Sequence, residues 1–206
     1  MSLKISKKKF IYLISPNKIY NSFYKNLKLV LKTKKVSFFQ LRLKNTSFKK
    51  KLLIGKKVKK ICKKYNTKFL INDDVHLAKK LNSDGCHLGQ KDMHILKAKK
   101  YLKNKIIGIT CHNSIKLAKA AIKDKADYLA LGAFNTSKTK KTKYKASINL
   151  LKRIRKITKT PIVVIGGINS NNYQKLLLNK ANFLAISGYI WKNKKYKPTQ
   201  ALEKLK

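Results

Sequence analysis

The stretch INDDVHLAKKLNSDGCHLGQKD, residues 71–92, contains Asp73, Asp74, Asp84 and Asp92. The whole chain has seven acidic residues against 52 Lys and Arg, so four of the seven fall in this one segment. Carboxylates gathered in so basic a chain are candidates for holding a hard cation. Mg2+ suits such a place because it takes oxygen ligands, keeps several waters and shares a substrate phosphate. Asp73 and Asp92 are the pair expected to do this. Asp74 is expected to cap the following helix, and Asp84 to belong to a turn. Arg42, Lys44 and Lys140 are cations able to meet a polyanion such as pyrophosphate. Arg42 is one of three arginines, with Arg153 and Arg155. An arginine in a chain that uses lysine nearly everywhere points to a need for its bidentate fork.

These residues gain meaning from the elements that must position them. Eight short β-rich runs, at 10–15, 36–43, 68–72, 85–88, 105–110, 127–133, 161–166 and 182–187, alternate with Lys/Leu segments of helical period. The clearest helices cover 47–65, 114–125 and 147–158. In the last, Ile148, Leu151, Ile154 and Ile157 recur every three residues. Ser47, Ser114, Ser147 and Ser170 stand where N-caps belong. Alternating apolar strands and amphipathic helices imply parallel βα units. Eight of them in 206 residues predict an α/β fold, a compact (β/α)8 TIM barrel forming a single domain over 1–206. An open doubly wound sheet is the rival, but neither GxGxxG nor GxxxxGK[ST] follows the first strand.

A parallel barrel builds its site at the C-terminal strand ends. There the sequence places Gln40-Leu41-Arg42-Leu43-Lys44, then Asn72-Asp73-Asp74, then Gly89-Gln90-Lys91-Asp92, then Thr110-Cys111-His112. The sixth strand leads to Asn135-Thr136-Ser137-Lys138-Thr139-Lys140. The seventh and eighth end in Gly166-Gly167 and Ser187-Gly188. Backbone N–H groups at those two ends commonly face a phosphomonoester in this architecture.

Taken in order, QLRLK, INDD, DGCHLGQKDM, GITCHN, GAFNTSKTK and PIVVIGGI resemble the thiamine phosphate synthase family over nearly the whole chain. The resemblance implies a small (β/α)8 barrel. It implies a transferase that joins hydroxymethylpyrimidine pyrophosphate to a carboxylated thiazole phosphate with Mg2+, releasing pyrophosphate and CO2. By matching motif, Gln40, Arg42, Lys44 and Asn72 would hold the pyrimidine pyrophosphate, and Asp73 and Asp92 would ligate Mg2+. Thr110, where the family more often has Ser, would contact the pyrophosphate, and Lys140 would neutralise the leaving group. Ser137 and Thr139, with backbone around Gly167, Ser187 and Gly188, would hold the thiazole phosphate. Asn135-Thr136-Ser137 departs from the family's aromatic-Pro-Thr, which removes a rigid proline from that loop.

Composition bounds the alternatives. The formal charge of +45 invites a nucleic-acid reading. The charge is almost all Lys and is spread along nearly every segment, whereas base readout favours Arg. No specific nucleic-acid partner is expected, although weak sticking to polyanions at low salt is. No apolar run reaches the roughly 18 residues that span a membrane. The basic N-terminus leads into an apolar run too short for a signal peptide, so a cytoplasmic protein is expected. Cys62, Cys86 and Cys111 are odd in number and lack CxxC spacing, which suits buried thiols. Neighbouring Cys86-His87 and Cys111-His112 point to opposite strand faces, so no zinc set is expected. His76 and His94 are expected at the surface, and Tyr189, Trp191 and Tyr196 are expected to cover the barrel. The thiazole tautomerase of the same fold is the nearest rival function, a basic nucleic-acid-binding protein the rival from another class. A homo-oligomer is left open.

Overall fold

The structure, a computed structural model, describes residues 10–136 and 143–205. Its strands are β1 (Ile11–Ile14), β2 (Val36–Leu41), β3 (Lys68–Asn72), β4 (Gly85–Leu88), β5 (Ile106–His112), β6 (Tyr128–Gly132), β7 (Ile162–Ile165) and β8 (Phe183–Ile186). All pair in parallel and in sequence order, and β1 also pairs with β8, closing the barrel. Each strand is followed by helix: α1 (Phe23–Lys32), α2 (Phe48–Lys64), α3 (Val75–Lys80), α4 (Ile95–Leu102), α5 (Ile115–Lys123), α6 (Ile148–Ile157), α7 (Tyr173–Leu178), α8 (Gly188–Trp191) and α9 (Pro198–Glu203). The expected (β/α)8 barrel is therefore present, with all eight strands in the expected places. β5 runs further than expected, to His112, because the ladder with β6 slips between Thr110 and His112.

Side chains alternate along every strand. One parity, including Tyr12, Phe38, Leu70, Tyr128, Val163 and Phe183, fills the barrel interior. The other, including Leu13, Phe39, Ile71, Leu129, Val164 and Leu184, packs outward with Leu27, Val58, Ala118 and Ile154 from the helices. The interior is rich in rings, and Phe38 meets Phe183 edge-on at 4.9 Å. Room for Tyr128 comes from Gly108, where a Cβ would fall 1.9 Å from the Tyr128 ring. At the other end of the barrel wall, Trp191 donates its indole N–H to Ile14 O at 2.7 Å and packs on Phe23.

The helices begin where side-chain oxygens accept first-turn N–H groups. Ser47, Ser114 and Ser147 cap α2, α5 and α6, and Asp74 caps α3. Ser170 does not cap a helix. α7 begins later, after Asn172. The polar residues ahead of it bond one another instead: Asn172 Oδ1 accepts from Asn169 N at 2.9 Å, and Ser170 donates to Asn171 Oδ1 at 3.2 Å.

The N-terminal face of the barrel is pinned by a repeated device. A polar side chain just before an even strand accepts the N–H of the odd strand beside it. Asp84 takes Phe69 N at 2.8 Å, Asp127 takes Ile107 N at 2.7 Å and Asn182 takes Ile162 N at 2.8 Å. Each has a cationic partner: Lys68 for Asp84, Lys99 for Asp127 and Arg155 for Asn182. Asp84 thus lies in the turn before β4, as expected, with a structural task. The three cysteines are buried and free. Among the described residues, no helix is long and apolar enough to cross a membrane.

Candidate active site

The inward parity that is apolar at the bottom of the barrel turns polar at the top. On β2 it runs from Phe38 to Gln40, and beyond the strand Arg42 and Lys44 continue it. On β3 it ends in Asn72, on β4 in His87 and on β5 in Thr110. Gln40 is only 2% exposed, and its amide donates to Tyr12 Oη at 3.0 Å. Arg42 hangs at the rim. Its backbone N–H donates to Ser15 Oγ at 2.9 Å, and its Nη1 donates to Asn17 Oδ1 at 2.9 Å. Partial burial draws its pKa down, and the Asp73 carboxylate opposes that shift.

Asp73 follows the last residue of β3 and adopts φ 65, in the left-handed region. An uninterrupted strand would send Asp73 to the opposite face from Asn72. The turn, held by Asp73 N donating to His87 O at 2.8 Å, brings the carboxylate to the mouth. Aspartate tolerates that backbone better than most residues. Asp92 arrives from the β4 loop, where its Oδ2 accepts Gly89 N at 2.6 Å. A Cβ on Gly89 would sit 3.0 Å from that same oxygen. The two carboxyls stand close enough for the charge of one to act on the other. Burial first, then the neighbouring Asp92 carboxylate, push Asp73 up to about 6, against the pull of Lys44 and Arg42. Two mutually repelling carboxylates beside cations fit a dication completed by water and substrate oxygens, since it would relieve that repulsion. Among the described residues no cluster of three or more His, Cys, Asp or Glu could hold a metal ion.

Thr110 closes the circuit from the other side. Its Oγ1 lies 2.9 Å from His87 Nε2, and Gln90 Nε2 donates to its carbonyl oxygen at 2.5 Å. His87 Nδ1 lies 2.9 Å from Tyr128 Oη, which lies 2.8 Å from Tyr12 Oη. Burial pushes the His87 pKa down to about 4, although part of the residue still meets solvent, so the imidazole is neutral at pH 7. The sequence reading considered His87 only as a strand neighbour of Cys86 and missed Tyr12 and Tyr128. Tyr128 had a signal in strand pairing, where it stands opposite Gly108; Tyr12 had none beyond its place in an apolar strand.

A cavity of about 110 Å³ opens over β7 and β8, lined by Gly166, Gly167, Ser187, Gly188, Tyr189 and neighbouring aliphatic residues. Gly166 and Gly167 have φ 112 and 56, and a Cβ on Gly167 would meet Thr136 O at 2.2 Å. Side chains are therefore excluded from both positions. Ser187 Oγ donates to Ser15 O at 3.1 Å, tying β8 to β1. Gln40, Arg42, Asn72, Asp73, Asp92, Thr110, Gly167, Ser187 and Gly188 thus lie on the same C-terminal rim, with Lys44 exposed beside them. Ser137, Thr139 and Lys140 lie outside the described residues. His112 ends β5 with φ 51 and stacks on Tyr144 at 4.0 Å. His76 is exposed as expected. His94 is too, but it also caps α4 and lies 3.5 Å from Asp124.

A closed (β/α)8 barrel with paired carboxylates, rim cations and a glycine-lined hollow is the frame of a barrel enzyme. A family model described as thiamine monophosphate synthase matches residues 11–190, and the chain belongs to that family. It is 70% identical to a thiamine-phosphate synthase of Pelagibacter ubique, over 97% of each chain. It is 37% identical to one from Nitrosomonas eutropha, over 74% of this chain and 72% of that one. The solved thiamine phosphate pyrophosphorylase of Pyrococcus furiosus superposes with a TM-score of 0.84 at 28% identity, over 96% of this chain and 94% of the other.

Proposed function

We propose that this one barrel, 1–206, couples hydroxymethylpyrimidine pyrophosphate to a thiazole phosphate, forming thiamine phosphate and pyrophosphate, with loss of CO2 when the thiazole is carboxylated. The observation that carries this reading is the Asp73–Asp92 pair set beside Arg42 and Lys44. Such a group has a purpose only where a polyanion and a dication meet.

The aminopyrimidine can carry a cation at its exocyclic methylene as the carbon–oxygen bond to pyrophosphate breaks. The thiazole nitrogen then supplies the electron pair for the new carbon–nitrogen bond. No nucleophile from the protein is required. The protein's task is to align two substrates and to receive the departing charge. Gln40 and Asn72 orient the pyrimidine. Arg42, Lys44, Lys140 and Thr110 hold the pyrophosphate. Ser137 and Thr139, with the backbone at Gly167, Ser187 and Gly188, hold the thiazole phosphate. Asp73 and Asp92 would hold Mg2+, which when bound neutralises pyrophosphate oxygens. The protein acts in the cytoplasm on small molecules, with no membrane and no specific nucleic acid as partner.

The direct test is to incubate the purified protein with both substrates and Mg2+ and to look for thiamine phosphate. The tautomerase reading would use His112 as acid and base and would ignore pyrophosphate. His112→Gln is expected to reduce coupling only modestly, and Asp73→Ala nearly to abolish it. Isomerisation of the thiazole that needs His112 but neither Mg2+ nor Asp73, with no thiamine phosphate formed, would overturn the synthase reading.

A further inference from the structure

A continuous line of hydrogen bonds crosses the barrel interior. It runs from Gln40 through Tyr12, Tyr128 and His87 to Thr110, with links of 3.0, 2.8, 2.9 and 2.9 Å. Its two ends are residues proposed to touch the pyrimidine pyrophosphate. Its three middle members have no place in the mechanism above. Such a line has a direction, because each hydroxyl carries one proton and a neutral imidazole carries one N–H.

Two directions are possible. In the first, Gln40 Nε2 donates to Tyr12, Tyr12 to Tyr128, Tyr128 to His87 Nδ1, and His87 Nε2–H to Thr110. This leaves the Gln40 carbonyl oxygen as a free acceptor at one end and the Thr110 hydroxyl proton as a free donor at the other. In the reverse, Thr110 donates to His87 and Tyr12 donates to the Gln40 oxygen. The ends then offer an N–H and a lone pair.

The structure favours the first direction. The Gln40 nitrogen, not its oxygen, faces Tyr12. With Gln40 donating, the Tyr12 proton must go to Tyr128. Tyr12 is 1% exposed, so the reversed line would leave that proton with no acceptor and no water. The ring of His87 lies nearly parallel to that of Tyr128, at 10° and 5.7 Å between centroids, which holds the imidazole in register for both contacts.

We propose that Tyr12, Tyr128 and His87 are positioning residues that fix the direction of this line, so that Gln40 presents an acceptor to the exocyclic amine of the pyrimidine and Thr110 presents a donor to a pyrophosphate oxygen. The inference rests on the synthase reading for what meets the ends, but the direction itself is a property of the protein alone. A reversed line would set the Thr110 lone pair against an anion.

Two measurements on the full chain test it. Long-range proton–nitrogen correlation on 15N-labelled protein reads the tautomer of His87, assigned through its contacts with Tyr128. The expected form is Nε2–H with an unprotonated Nδ1. The Nδ1–H form would overturn the proposal, and this readout needs neither ligand nor variant. The second is a double-mutant cycle on the affinity for inorganic pyrophosphate with Mg2+, read by calorimetry. Tyr128→Phe is expected to weaken binding about fivefold in the wild-type background, the loss typical of one hydrogen bond. It is expected to have no effect once Thr110→Val has removed the hydroxyl through which it acts. Equal losses in both backgrounds would reduce Tyr128 to packing and sink the proposal. A wild type that binds no pyrophosphate would count against the synthase reading, while the tautomer would still decide the direction of the line.

Discussion

At the scale of single residues, the few carboxylates of this chain divide by task. Asp74, Asp84 and Asp127 each accept a backbone N–H, and Asp73 and Asp92 face each other at the mouth. Asp92→Asn is expected to lose most turnover with the fold intact, checked by activity and circular dichroism, and wild type in EDTA should fail likewise. Arg42→Lys should raise the KM for the pyrimidine pyrophosphate about tenfold, because an ammonium offers one point of charge where the guanidinium offers a fork. Unchanged affinity would remove the geometric argument. Asp73 gives a signed pH dependence. Its folded pKa of about 6 lies above the ordinary 3.8, so the metal-free fold binds this proton more tightly than the unfolded chain does. The pair therefore adds stability to the metal-free protein as pH falls through 6 and withholds it above. Mg2+ needs the carboxylate ionised, so its affinity is expected to drop about tenfold per pH unit below that pKa. The rise in Tm that Mg2+ produces should be large at pH 8 and small at pH 5, read by calorimetry.

Elements explain which features the sequence disclosed. All eight strands could be found because each is a short apolar run bounded by turn residues, and three serine caps could be found because Ser precedes a helical period. Ser170 misled because capping depends on where the first turn forms, and the asparagines after it satisfy one another first. The rim residues were legible because strand ends face the mouth in any parallel barrel. The interior line was not, since Tyr12 and Tyr128 read as ordinary strand aromatics until barrel closure brings β1 and β6 within 2.8 Å at their hydroxyls. The bottom pins were equally hidden, because Asp127 and Asn182 act on neighbouring strands far away in sequence. Asp127→Ala strips a charged acceptor from Ile107 N and from Lys99. It should cost about 2 kcal/mol, lowering Tm by roughly 4–8 °C for a domain of this size. Activity at low temperature should remain, since the pin lies at the face opposite the mouth. A variant with full stability would show that water replaces the carboxylate.

At the scale of the molecule, the charge of +45 is a field with two consequences of different kind. It repels itself, and it attracts anions. The lysines lie along nearly every helix, among them Lys49, Lys50, Lys56, Lys63 and Lys119, all exposed. Self-repulsion relaxes when the chain unfolds and the charges move apart. Salt screens it with a Debye length of about 10 Å at 0.1 M, so Tm should rise between 10 and 200 mM NaCl at neutral pH. The same screening acts oppositely on encounter. Both proposed substrates carry phosphate, and a positive surface draws them toward a mouth lined by Arg42 and Lys44. Steering speeds approach and leaves the chemical step alone, because bond breaking occurs after the substrates are seated. Raising ionic strength from 10 to 200 mM should therefore lower kcat/KM several-fold and leave kcat nearly constant. A steady-state series in NaCl, repeated with choline chloride to exclude a specific effect of Na+, measures this. If kcat falls with kcat/KM, salt is acting on the seated complex at Arg42 and the Asp73–Asp92 pair, and the diffuse lysine field contributes nothing to turnover.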